Sequence, residues 1–271
     1  MKQLLAFECP LLVAAASLAI FASPAWAEDT SSQLDADTSG LTILNNATNV
    51  THWGLGAGVG IQNSPYKGYG ARVVPIPLVF FDDKWVHVVA TTIDLKLGSW
   101  DGLKVALRGN FALFDGYKSS DAPILNGMQR RYGTFWYGPS VEWQSAFGTL
   151  SGAFLLGGNK GERAKIGYSK SFEIADFSIE PRVSAEWLSN QFVDYYYGVR
   201  PSEALPGRPA YNGSTTVNIS LGSTFTYALT KNQTIIMDLS VSHLGKSVVD
   251  SPLVGRRYVP QINIGYMYRF K

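Results

Sequence analysis

The chain has 271 residues, 46% of them hydrophobic and 13% aromatic, but only 16% are charged, against a usual charged share of about 25%. A formal net charge of +2 excludes an electrostatic case for nucleic acid, and three histidines with the single Cys9 leave little for metal or thiol chemistry. Any catalysis would rest on carboxylates or hydroxyls, and nothing in the sequence calls for a cofactor.

The first segment reads as an export signal. Lys2 precedes the apolar stretch Leu11 to Phe21, and Ala25-Trp26-Ala27 supplies small residues where a signal peptidase needs them, so residues 1–27 are expected to be cleaved. Cys9 leaves with that leader, which gives an exported chain without disulfides. Residues 28–52 form a polar lead, and residues 53–271 carry the patterned domain.

No apolar run approaches the roughly 20 residues of a transmembrane helix. The dominant period is two. Leu103, Val105 and Leu107 oppose Lys104 and Arg108; Phe177, Ile179, Val183 and Trp187 oppose Glu180, Arg182 and Glu186; Val217, Ile219 and Leu221 oppose Asn218 and Ser220; Ile262, Ile264 and Tyr266 oppose Asn263. Segments of about ten residues with aromatic ends suit strands that cross a bilayer obliquely. A soluble sandwich also alternates, but its polar face would be rich in lysine and glutamate. Here that face is Gly, Ser, Thr and Asn with isolated charges, which suits a crowded lumen. The expectation is an all-β fold: a transmembrane antiparallel β-barrel of about 10–12 strands with a polar, charge-containing lumen, set in the outer-membrane lipid of a Gram-negative cell.

In chain order the strands read Trp53 to Asn63, Tyr69 to Phe81, Trp85 to Leu97, Leu103 to Phe114, Gly133 to Ala146, Thr149 to Gly157, Ala164 to Phe172, Phe177 to Asn190, Thr215 to Leu229, Gln233 to His243 and Val259 to Phe270. That is an odd number, whereas bacterial barrels have an even one. Either Leu41 to Val50 adds a strand, or the segment holding Pro75 and Pro77 fails to span, and the prolines point to the second. Long connections at Asp115 to Tyr132, Gln191 to Ser214 and Leu244 to Tyr258 fall on one side; tight turns at Phe147-Gly148, Ala175-Asp176 and Thr230-Lys231 fall on the other.

The candidate lumen charges are Arg108, Glu142, Glu180, Arg182, Glu186 and Asp238, with Arg72, Asp94, Lys96, Lys104 and Arg269 on the same faces. Charges of both signs can pair across the interior and fill it, or line a narrow channel. Alternating glycines in "WGLGAGVG" lie on one strand face with no helix after them, so they are no phosphate cradle, and Ser242 and His243 point to opposite faces. In the outer connection "DYYYGVRPSEALPGRPAYNG", Tyr195, Tyr196 and Tyr197 are expected at the membrane interface. Prolines stiffen the rest, and Arg200, Glu203 and Arg208 can tie it to the barrel mouth; the connection is either a loop folded over the lumen or an aromatic girdle followed by a plain outer loop.

Three strings in order, "NSPYKGYGARVVPIPLVFF", "DYYYGVRPSEALPGRPAY" and "DSPLVGRRY", followed by "GYMYRF", resemble the MipA/OmpV family of outer-membrane proteins. The longer polar lead and Lys271 after the terminal aromatic depart from that pattern. The resemblance implies a non-catalytic scaffold that holds a lytic transglycosylase and a bifunctional penicillin-binding protein together. A partner would dock on the periplasmic turns around Asp82, Asp83 and Lys84. A narrow channel or antibiotic-related small-solute porter is the alternative, and an enzyme the third reading.

Overall fold

The structure, a computed structural model, describes residues 49–112 and 115–270. The leader with Cys9, nearly all of the lead and of the Leu41 to Val50 option, and Lys271 lie outside the described residues.

The strands are β1 (His52–Asn63), β2 (Ala71–Asp82), β3 (Val86–Val89), β4 (Thr92–Trp100), β5 (Leu103–Phe111), β6 (Phe135–Ser145), β7 (Gly148–Leu156), β8 (Glu162–Ser169), β9 (Phe172–Ile174), β10 (Phe177–Leu188), β11 (Thr216–Thr230), β12 (Gln233–His243) and β13 (Tyr258–Arg269). They form one antiparallel sheet in near-sequential order. Pairing of β10 with β11 and of β1 with β13 closes it on itself. β8 and β9 both pair with β10 and are one wall strand interrupted at Lys170-Ser171, so the wall is a closed barrel of 12 strands.

Period two sets the faces. Outward side chains such as Leu55, Leu95, Leu107, Leu221 and Ile264 are half exposed, while inward ones such as Asp238, Asn263 and Gln261 are buried. So many exposed large apolar side chains would be untenable in water and belong against lipid. Aromatic residues mark the ends of this belt. Trp53 stacks on Phe270 with ring centroids 4.2 Å apart, which joins the first strand to the last. Among the described residues no helix is long and apolar enough to cross a membrane.

Two expectations about strands need correction. The segment with Pro75 and Pro77 does span: β2 pairs with β1 from Asp82 to Ala71. The single strand expected from Trp85 to Leu97 is instead a hairpin, with β3 and β4 joined at Ala90-Thr91 and Ala90 at φ 52°. That extra strand restores the even number.

Tight turns at one end, including Asp101-Gly102 and Ala175-Asp176, define the periplasmic side. Long connections at the other end, residues 115–134, 189–215 and 244–257, fold over the barrel mouth. They carry helices α1 (Asn190–Tyr197) and α2 (Lys246–Val249), and they have a hydrophobic core of their own.

Candidate functional site

The lumen and its lid hold the buried chemistry of the barrel. In the lumen the charges sit in discrete pairs between adjacent strands or across one intervening strand. Arg108 on β5 donates from two nitrogens to Asp94 on β4, at 2.7 and 2.6 Å. Arg182 on β10 meets Asp238 on β12 at 2.5 Å and donates to Thr224 at 2.7 Å, and Thr224 in turn donates to Asp238 at 3.0 Å. Arg163 on β8 meets Glu186 on β10 at 3.1 Å. Glu180 lies buried opposite Thr224, and Glu142 lies opposite Lys104 and Ser151. The expected stack of Glu180, Arg182 and Glu186 therefore divides: Arg182 turns to Asp238, and Glu186 takes Arg163.

Arg163 was missed because the strand was expected to begin at Ala164; Gly161, at φ 92°, starts β8 earlier. Buried opposite charges in this geometry fill space and fix neighbouring strands, and removing one partner leaves an uncompensated charge.

The lid explains the tyrosine run. Ser189 caps α1 by accepting the Phe192 N–H at 3.2 Å, and α1 turns Phe192, Val193 and Tyr196 into the lid core. Tyr196 is 2% exposed, so the run lies inside the lid and not at a membrane interface. Tyr195 accepts the Tyr132 N–H at 3.0 Å, and the carbonyls of Tyr196 and Tyr197 accept from Tyr66 at 2.9 Å and Ser251 at 2.6 Å.

Beyond the helix, Glu203 and two arginines clamp two loops together. Arg131 donates to both Glu203 oxygens, at 3.2 and 3.0 Å, and to the Tyr195 carbonyl at 2.8 Å. Arg208 donates to the carbonyls of Ile124, Asn126 and Glu203 at 2.5 to 3.1 Å. Arg200 reaches across to the Gln129 side chain. Burial alone would raise the Glu203 carboxyl, but the N–H groups of Gln129 and Arg200 and the Arg131 guanidinium outweigh it and hold it below its ordinary value. Arg131 carried no sequence signal, since it sits in a long loop where no period identifies an inward face.

Between lid and ion pairs lies a small polar chamber lined by Arg72, Asp115, Arg163, Glu186 and Asn218 under Tyr196 and Tyr197. Burial lifts Asp115 above the usual carboxylate range, although the Arg163 charge pulls the other way. Two lumenal hydroxyls are engaged in hydrogen bonds: Ser242 bonds Ser220, and Thr224 bonds Asp238. Among the described residues no group of three or more His, Cys, Asp or Glu could hold a metal.

At the periplasmic end, Asp83 accepts the N–H groups of Trp85 and Val86 at 2.7 and 2.6 Å and so builds the β2–β3 turn. Asp82 meets Lys96 at 2.8 Å and His87 at 2.7 Å, and the Lys84 ammonium lies 4.9 Å from the centre of the Trp85 ring. Phe147, on the next turn but one, is 81% exposed.

A closed antiparallel barrel with a lipid-facing apolar belt, tight turns at one end and packed loops at the other defines an outer-membrane β-barrel protein. The family described as MltA-interacting protein MipA matches residues 55–270, and the chain belongs to that family. It is similar to the MltA-interacting protein of Escherichia coli K12, 25% identical over 239 residues that make up 84% of this chain and 96% of that one. It is also similar to the outer membrane protein OmpV of Vibrio cholerae, 26% identical over 141 residues, 51% of this chain and 55% of that one. Among solved structures, the NanC porin matches over 79% of this chain and 98% of its own, at 12% identity and a TM-score of 0.39.

Proposed function

We propose that this protein is a non-catalytic outer-membrane anchor for enzymes that cut and build murein, with its periplasmic turns as the contact. The observation that carries the reading is the outer mouth, over which the loops pack. Interlocked loops with their own core cover it, and buried ion pairs brace the lumen below, which is poor architecture for a solute pore. The printed name of the Escherichia coli relative supports MltA as one partner class, and a bifunctional penicillin-binding protein is the second.

Among the described residues short turns form the periplasmic face, so a partner meets a small footprint around Asp82, Asp83, Lys84 and the exposed Phe147. A footprint of that size gives a weak, transient complex. The test places a photo-crosslinking amino acid at Lys84 or Phe147 in intact cells, with Arg256 on the lid as the control position. Capture of a murein hydrolase or synthase from the turn positions alone is the expected result. Capture of neither, together with steady single-channel currents from the purified barrel, overturns the scaffold in favour of the pore.

A further inference from the structure

The wall is not uniform. Each strand of a barrel should be hydrogen-bonded on both sides along its length, because lipid offers its backbone no other partner. β2 is not. On one side it pairs with β1 over twelve residues, but on the other β3 pairs only with Phe80, Phe81 and Asp82. The β3–β4 hairpin ends at Ala90-Thr91, where the Ala90 N–H donates to the Val79 carbonyl at 2.9 Å. Above that level no described strand pairs with residues 71–78 on that side. Val73 on the outward face is accordingly 69% exposed, against 50% for Ile264 in the closed wall.

Backbone groups alternate sides along a strand, so those of residues 71, 73, 75 and 77 turn the same way as Val79, toward the gap. Two of the four are prolines, Pro75 and Pro77, which have no N–H to leave unpaired there. The same prolines prevent another strand from docking along this edge.

Behind the gap the lumen changes character. Ile76, Leu78, Phe80 and Met267 form an apolar cluster on inward faces, where other strands carry Asp94, Arg108, Arg182 and Asp238. Glycines make room for it: a Cβ at Gly265 would lie 2.4 Å from Leu78 Cδ1, and one at Gly60 would lie 3.1 Å from Ile76 Cδ1. From Val73 to Phe81 β2 is thus apolar on both faces, and its inward side chains pack as a small apolar cluster in an otherwise polar lumen.

We propose that this seam is a lateral port through which the hydrocarbon chain of an outer-leaflet amphiphile reaches the lumen, parting the packed side chains of Ile76, Leu78 and Met267. Parting the wall here breaks a three-residue ladder, whereas parting β1 from β2 breaks twelve paired positions. The polar chamber lies at the upper end of the seam, and Arg72 and Arg163 there balance Asp115 and Glu186, so an uncharged or zwitterionic head group fits it. This port is independent of the periplasmic scaffold, and neither reading depends on the other.

The test uses the full-length protein in vesicles of phosphatidylcholine that carries a diazirine near the end of one acyl chain. After irradiation, adducts are mapped by peptide mass spectrometry. Adducts on Leu78 and Met267 several-fold above those on Ala153, which is inward and apolar and paired on both sides, are expected. Adducts confined to outward residues such as Val73, Leu107 and Ile264 overturn the port. In an Ile76→Asn, Leu78→Asn variant that still shows the heat-modifiable migration of a folded barrel, the Met267 adduct falls several-fold; an unchanged adduct also overturns it.

Discussion

Wall and lid are two solutions to the same problem, namely how to bury polar groups in a chain that must live in a membrane. The wall solves it by repetition: apart from the open edge of β2 its strands join ladder to ladder, and charges pair between adjacent strands, as Arg108 does with Asp94, or across one intervening strand, as Arg182 does with Asp238. The lid has no ladders of any length. It uses single arginines as hubs, each gathering carbonyls or a carboxylate from segments far apart in sequence, such as Arg131 with Glu203 and Arg208 with Ile124. A repeated pattern tolerates a local fault, as the interrupted β8–β9 strand shows. A hub does not, because every contact passes through one side chain.

The largest effect should therefore fall in the lid. Arg131→Ala leaves the Glu203 carboxylate buried without its cation, and breaking a buried pair from one side costs about 3–5 kcal/mol. The expected outcome is protease cleavage within residues 115–134 and 189–215 while the barrel keeps its heat-modifiable migration. If both regions lose protection together, lid and wall are one cooperative unit and the contrast fails.

The wall should respond to position instead. Ile264 is outward and half exposed, whereas Asn263 beside it is buried next to Asp238. Ile264→Arg puts a charge in lipid near mid-strand and should cost about 2–4 kcal/mol. Asn263→Arg faces a carboxylate in the lumen and should cost less. Equal losses in detergent unfolding would mean that the strand faces are assigned wrongly.

The same contrast separates what could be read from sequence from what could not. Alternation placed β10, β11, β12 and β13 within a residue or two, because each has one apolar and one polar face. It failed at β3 and β4 for a definite reason. A two-residue turn shifts the inward phase by one, from His87 and Val89 to Thr92 and Asp94, but Val86, Val88 and Val89 are all apolar and hide the shift. Nor does Ala90-Thr91 contain the Gly, Asn or Asp that usually marks such a turn. Pro75 and Pro77 misled in the opposite direction, since a proline argues against a strand only where its N–H is needed. The lumen charges were legible as a set, but their partners were not: pairing across strands depends on register, and only the structure supplies it. Arg131 left no trace, because a loop has no period.

Acid should loosen the lid before the wall. The Glu203 carboxyl is held below its ordinary value by its donors, so it contributes stability that is complete above the unfolded value of about 4.3 and is lost as pH falls through the lowered folded value. Protonation removes the charge and keeps the shape, so the effect is smaller than that of Arg131→Ala. Rising exposure of the lid tyrosines in strong acid, read by hydroxyl-radical footprinting and absent in Glu203→Gln relative to its own neutral baseline, is the expected pattern. A wild-type lid equally protected from neutral to strongly acid pH would remove Glu203 as the sensitive group.

The smallest effect lies at the junction of the two regions and tests whether they are mechanically separate. The Ser189 hydroxyl accepts two backbone N–H groups, that of Phe192 in the first turn of α1 at 3.2 Å and that of Glu162 at the start of β8 at 2.9 Å. It is thus the capping residue of the lid helix and a link to the wall at once. Ser189→Ala removes both hydrogen bonds. Loss of a helix cap of this kind costs about 1 kcal/mol, and β8 keeps its ladders to β7 and β10 whether or not the Glu162 N–H is satisfied. The penalty should then appear in the lid alone: amide hydrogen exchange across Asn190–Tyr197 should quicken by roughly fivefold, the factor that about 1 kcal/mol corresponds to, while exchange along β8 and β10 stays as it was. Faster exchange along β8 to the same degree would show that the hydroxyl couples the lid to the barrel, and a lid displaced by a partner would then be felt in the wall beneath it.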